Sequence, residues 1–261
     1  MDALAVVPST TSHKHEALLP TLDIFARLGW RDLDLNLNHI VERGLDVHAV
    51  AHALETNGQR VPIASGGWCD FFEEGAGADR TVASVERQVA LARRFGAERL
   101  RLFFGRLPVE RYSDRAAQTC ARHLRQLADR HADLGFVIEN HDGASSRPEV
   151  CRAILHAVGR PNVRLAFDPV NFEHRGVSSM DAVVALAPLV GHVHLKGYAA
   201  GEFCGFGEGE VDLIPALRHL VAGGYAGAFT VEYEGKGDRT VRLFESVQRA
   251  RRALSALKVA T

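Results

Sequence analysis

Eight short apolar stretches, each followed by a segment of helical periodicity, run the length of this chain. That alternation constrains the fold more than any single motif. Strand character is read at residues 3–7, 32–37, 61–65, 99–104, 136–139, 163–168, 190–195 and 229–233. Helical spacing follows at 18–28, 47–57, 81–95, 114–134, 148–158, 180–186, 213–222 and 238–257, with Gly29, Gly58, Gly96 and Gly135 as stops. Strands that alternate with helices pair in parallel through right-handed crossovers. Eight such units close into a barrel, and a chain of 261 residues is close to the roughly 250 that a barrel of this kind uses as one domain. Residues 1–261 are therefore expected to form a single (β/α)8 TIM barrel. The alternative is an open doubly wound sheet. It loses support because the turn after the first strand, PSTTSHK, has no GxGxxG and no GxxxxGK[ST] occurs anywhere.

A formal net charge of -1 gives no global electrostatic case for nucleic acid or anionic membranes, so neither is expected as a partner. Arg249, Arg251 and Arg252 read as a solvated helix face. Cys69, Cys120, Cys151 and Cys204 form no CxxC pair, which suits a reducing compartment. The apolar run that ends at Pro8 is too short for a signal peptide, and no run approaches the roughly 18 residues of a membrane span. The expectation is a soluble cytoplasmic protein.

The chemistry gathers at strand ends. In GFVIENHDG, residues 135–143, an apolar run stops abruptly at Glu139, Asn140, His141 and Asp142. The same grammar returns in VRLAFDPVN, VGHVHLKG and FTVEYEG. In a barrel the carboxyl ends of the strands converge on one rim, where polar residues carry function. Strands five to eight then deliver Glu139, Asp168, His194 and Glu232 to that rim. Buried charges of this kind need pairing, hydrogen bonds or a metal. Three carboxylates and an imidazole suit Mn²⁺, Co²⁺ or Mg²⁺ better than thiolate-seeking metals. His192 and His194 are expected to face differently lined surroundings, one of them as a hydrogen-bonded core histidine.

Together, Glu139-Asn140-His141, the run from Phe167 to Asn171, the run from His192 to Lys196, GEGEVD at 207–212 and Val231-Glu232 resemble the xylose isomerase-like TIM barrel superfamily. This group of sugar phosphate isomerase/epimerase-type enzymes includes ketose 3-epimerases, hydroxypyruvate isomerases, inosose and dehydroshikimate dehydratases, and apurinic endonucleases. The resemblance implies a divalent metal held by Glu139, Asp168, His194 and Glu232, with Mn²⁺ first and Mg²⁺, Co²⁺ or Zn²⁺ as alternatives. It also implies that Glu139 and Glu232 act as an acid–base pair on opposite faces of a substrate.

Departures from the family pattern narrow the reading. Asn171 stands where many members carry a histidine, and an amide cannot ferry a proton near pH 7. Gly201 and Phe203 replace the Asp-x-His that gives the endonucleases their extra metals, and Cys204 replaces a sugar-binding arginine of some epimerases. His141 is either a base, as in the dehydratases, or a group that orients Glu139. Lys196 is expected to reach a substrate oxygen or to form a rim salt bridge with Glu232 or Glu234. Trp68 and Phe206 are candidate apolar walls, and His13, Asn38 and His39 are minor candidates. In the Gly-rich loop the acids Glu208, Glu210 and Asp212 argue against an anionic guest, and Asp212 is expected to cap the next helix. The substrate-binding set is thus His141, Asn171, Lys196 and Trp68. The leading function is a metal-dependent isomerase or epimerase of a small sugar or other polyhydroxy carbonyl compound. A lyase of the inosose or dehydroshikimate type and an inactive barrel serving as a binding subunit are the alternatives. A homo-oligomer is compatible with any of them.

Overall fold

The computed structural model describes residues 4–259. Its barrel strands are Val6–Pro8, Asp32–Asn36, Arg60–Ser65, Arg99–Phe103, Gly135–Glu139, Val163–Phe167, Val190–Leu195 and Phe229–Val231. They pair in parallel, each strand from two to seven with its successor, strand seven with eight and eight with one. An isolated parallel bridge between Ser9 and Asp34 spans the remaining seam. The chain is a single (β/α)8 barrel, as its alternation predicts.

The period of two along each strand sorts the two faces. Leu33, Leu35, Leu100, Leu102, Phe136, Ile138, Leu165, Phe167, Val193 and Leu195 join the large apolar cluster shared with the surrounding helices. Ile63, Val137 and Ala166 form a separate small cluster. Above it the lumen turns polar: Asp34, Ser65, Arg101, Glu139, His192, His194 and Thr230 are all buried.

Several boundaries differ from expectation for identifiable reasons. The first strand begins at Val6, and Ala3 lies outside the described residues. Pro8 is inside the strand rather than ending it, because Ala5 O and Ser9 N make the bonds to strand eight and a proline nitrogen is not needed there. The helix expected from Thr81 starts earlier, at Ala76, behind Gly75 in a left-handed conformation. The Gly-rich loop contains a two-stranded antiparallel ribbon, Gly197–Ala199 with Glu202–Cys204. Asp212 does cap the following helix, Ile214–Ala222, but from one residue before the cap position, accepting from Ile214 N at 3.0 Å. Among the described residues no helix is long and apolar enough to cross a membrane.

The turn that leaves strand five is tightly specified. Gly143 has φ +62, and a Cβ there would collide with the Leu107 carbonyl oxygen. That same carbonyl accepts from Ala144 N at 2.7 Å, locking the turn to the loop after strand four. Gly143→Ala is expected to destabilise the protein by about 1–3 kcal/mol in urea unfolding, through backbone strain plus the clash. A change below about 0.5 kcal/mol, within the range of neutral surface substitutions, would show that the turn is not constrained in this way.

Candidate active site

Glu139 is the last residue of strand five, and Asp168 follows strand six. His194 lies inside strand seven, and Glu232 follows strand eight. All four reach the carboxyl end of the barrel, and all are buried. His194 Nδ1 stands 3.5 Å from Glu139 Oε1 and 3.7 Å from Glu232 Oε1. Asp168 accepts from Val170 N and Asn171 N through Oδ1, which caps the short helix Pro169–Glu173 and fixes the carboxylate. Its other oxygen, Oδ2, is 3.0 Å from Lys196 Nζ but makes no directed hydrogen bond.

Asn140 joins strands five and six beyond their ladder. Its side chain donates to Asp168 O and accepts from Asp168 N, each at 2.8 Å. The two carboxylates therefore keep a fixed separation. Asn171 returns on the short helix and donates to Glu139 Oε1 at 3.2 Å and to Asn140 O at 3.0 Å. Where a histidine would shuttle protons, this amide holds Glu139 in place. Lys196 is buried, bridging Asp168 and Glu234 (Nζ–Oε2 2.9 Å), with Lys14 on the other oxygen of Glu234 at 3.0 Å. Its salt-bridge partners are thus Asp168 and Glu234, not Glu232.

Arg101 was not among the sequence candidates, yet it is the fixed cation of the site. It is 4% exposed and places Nε 3.2 Å from Glu139 Oε2. Asp34 was missed too: its Oδ2 accepts from Ser9 Oγ at 2.7 Å and Ser65 Oγ at 2.9 Å. Both could have been found. In DLDLN and RLRLF the leucines mark the outer face, so Asp34 and Arg101 had to face the lumen.

His192 and His194 share the inner side of strand seven, two residues apart, and their rings meet edge to face at 5.3 Å. His192 is the core histidine, bonded through Nε2 to Thr230 Oγ1 at 2.8 Å. His141 lies at the mouth with its edge against Trp68 (5.3 Å) and Phe103 (5.2 Å). Trp68 stacks on Phe103 at 4.3 Å, and the Arg106 guanidinium lies over Trp68. Trp68 is thus packed among Phe103, His141 and Arg106. Phe206 instead packs in the core, and the aromatic ring beside Lys196 is Phe203, 4.5 Å from the ammonium. His13 and His39 bond to Thr240 and to Thr10 O, and Asn38 begins a short helix; none joins the site.

The charges perturb one another strongly. Burial alone would raise Glu139, but Arg101 and then His194 outweigh it and hold the carboxyl far below its usual range. Burial pushes Glu232 up to about 7; His194 opposes this, while Glu139 and Glu234 add repulsion. Burial would strip the proton from His194, yet Glu232 and Glu139 retain it up to about 9. Glu234, beside Lys196, falls to about 2.

These features fit a divalent cation. Both ring nitrogens of His194, Asp168 Oδ2 and Glu232 Oε1 are buried without a hydrogen-bond partner. One ligand atom each from Glu139, Asp168 and His194 lie within 4.8 Å of one another. A cavity of about 750 Å³ at the opposite end of the barrel, lined by Arg99, Asn162, Arg164 and Tyr225, contains none of these groups.

Residues 23–259 match the family model of the xylose isomerase-like TIM barrel. The chain belongs to that family. Among solved structures it superposes on an L-ribulose 3-epimerase with a TM-score of 0.82 at 17% identity, covering 99% of this chain and 97% of that one. A xylose isomerase-like barrel protein from Mycobacterium smegmatis, in complex with magnesium, gives 0.80 at 17% identity, covering 98% and 99%. The probable 3-DHS dehydratase AsbF from Bacillus anthracis gives 0.76 at 16% identity, covering 94% and 98%. No curated protein matches the sequence. At these identities the structures share the fold.

The perturbed groups give the metal-free protein a definite pH dependence. His194 is raised from 6.5 to about 9, so its contribution is complete below pH 6.5 and is lost as pH rises through 9. Its size is on the order of 3 kcal/mol. Glu232 is also raised, so its ionisation through about 7 costs stability in the same direction. Chelator-treated protein should therefore melt several degrees lower at pH 9.5 than at pH 7, and His194→Gln should lose most of that difference. Equal melting temperatures for the wild type would contradict a charged His194.

Proposed function

We propose that this chain is a divalent-metal-dependent isomerase or epimerase of a small sugar or related polyhydroxy carbonyl compound. The observation that carries the reading is a pair of buried glutamates on either side of His194, driven to opposite proton affinities by their surroundings. Two carboxyl groups pushed apart in this way divide naturally into base and acid. Glu139, held ionised by Arg101, is the base that takes the proton alpha to a substrate carbonyl. Glu232 is the donor that returns a proton to the same carbon from the other face. In the reverse direction the roles exchange.

Glu139, Asp168, His194 and Glu232 would hold the ion, with Mn²⁺ as first choice and Mg²⁺, Co²⁺ or Zn²⁺ as alternatives. A bound divalent ion supplies Lewis-acid stabilisation of the developing enediolate charge. Lys196 offers an ammonium to a substrate oxygen, and Asn171 keeps Glu139 aimed. Trp68, Phe103 and His141 form the wall against which the substrate's carbon skeleton packs.

A lyase reading is favoured by His141, a second imidazole close to Glu139 at the mouth. There the same enediolate expels a beta hydroxyl as water. Incubation with ketoses, inososes and dehydroshikimate in Mn²⁺ separates the two, because water loss creates a conjugated chromophore and epimerisation does not. The expected result is an epimer without new ultraviolet absorbance. Glu139→Gln and Glu232→Gln should each lower kcat by roughly 10²–10⁴-fold, the usual worth of a positioned acid or base. Retention of full activity by both variants would exclude them as the acid–base pair. An absence of metal binding and of turnover would favour the inactive-barrel reading.

A further inference from the structure

Asp34 is a carboxylate that the acid–base chemistry leaves unused. It is fully buried in the second barrel strand, with Oδ2 held by Ser9 and Ser65 and Oδ1 without any hydrogen-bond partner. An ionised carboxylate oxygen left so in a protein interior is costly unless a cation faces it. One ligand atom each from Asp34, His194 and Glu232 lie within 4.8 Å of one another. Glu232 Oε1 and both His194 ring nitrogens are likewise unpartnered. This group shares His194 with the triad of Glu139, Asp168 and His194 but takes its carboxylates from strands two and eight.

We propose that Asp34 is a metal-binding residue, and that Asp34, His194 and Glu232 form an inner three-ligand seat for a divalent cation. The seat adds a fifth residue to the four that the site reading above assigns, and it rests on that reading for Glu232 and His194. Charge balance sets the stoichiometry. With these carboxylates ionised and His194 neutral, as a metal-bound imidazole must be, Asp34, Glu139, Asp168, Glu232 and Glu234 face the cations of Arg101, Lys196 and Lys14. Two negative charges remain, which one divalent ion neutralises. A single ion therefore has two adjoining seats pivoting on His194, an outer one with Glu139 and Asp168 and an inner one with Asp34 and Glu232. Carboxylate oxygen and imidazole nitrogen suit Mn²⁺ or Co²⁺.

Calorimetric titration of the chelator-treated full chain with Mn²⁺ alone tests this. Wild type should bind one ion, and Asp34→Asn should bind it at least tenfold more weakly, as should Asp168→Asn. Asp32→Asn is the control: it removes a carboxylate from the same strand, but one that is partly exposed and paired with Arg60, and it should bind Mn²⁺ within threefold of wild type. A second measurement, the visible absorption of the Co²⁺ protein, should change in Asp34→Asn and not in Asp32→Asn. Unchanged Mn²⁺ affinity and Co²⁺ spectrum in Asp34→Asn, with binding lost in Asp168→Asn, would overturn the inner seat and leave the outer site standing. A wild type that binds no Mn²⁺ would overturn both. Loss of binding in Asp32→Asn equal to that in Asp34→Asn would overturn the direct role of Asp34.

Discussion

A barrel lumen that holds four carboxylates out of water, with a fifth, Glu234, at its edge, is the constraint on which the rest of this structure depends. Isolated charges at such depth would cost several kcal/mol each. The fold meets this with nearby cations: Arg101 beside Glu139, Lys196 between Asp168 and Glu234, and Lys14 beyond Glu234. Arg101 lies inside strand four and Lys196 directly follows strand seven, whereas the exposed Lys14 comes from the turn after the first strand. The compensation stops short of His194, Glu232 and Asp34, whose unpartnered atoms are left facing one another.

Around that incompletely neutralised centre the framework is rigid. Asn140 ties strand five to the backbone of Asp168, the short helix after Asp168 returns Asn171 to Glu139, and Gly143 fixes the exit turn against Leu107. Such second contacts matter because acid–base chemistry tolerates little misplacement of its groups. Asn171, whose amide does not titrate near pH 7, acts on Glu139 by position alone.

Much of this was legible in the sequence. The strand–helix alternation was enough for the barrel, and abrupt polar ends on apolar runs single out Glu139, Asp168, His194 and Glu232, which the fold brings close together. What escaped lay inside the strands. Asp34 and Arg101 sit inside strands, where only the phase of the flanking leucines, and no abrupt polar end, marks them as facing the lumen. The spacing of two puts His192 and His194 on one side of the strand, contrary to the expectation of differently lined surroundings. Other gaps were tertiary. Nothing local distinguishes Phe203 from Phe206, and only the ribbon that precedes Gly205 decides which ring meets Lys196. The earlier start of the helix at Ala76 depends on a glycine conformation that composition does not announce.

The central claim is that the excess negative charge of the lumen keeps a proton on His194 until a divalent ion replaces it. Calorimetric titration with Mn²⁺ at pH 8, in buffers of different ionisation enthalpy, counts the protons released on binding. With His194 at about 9, about one proton should leave per ion at pH 8, and the release should vanish above pH 10. Binding at pH 8 with no proton release would contradict a charged His194, and with it the view of this site as a cation seat held by its own proton.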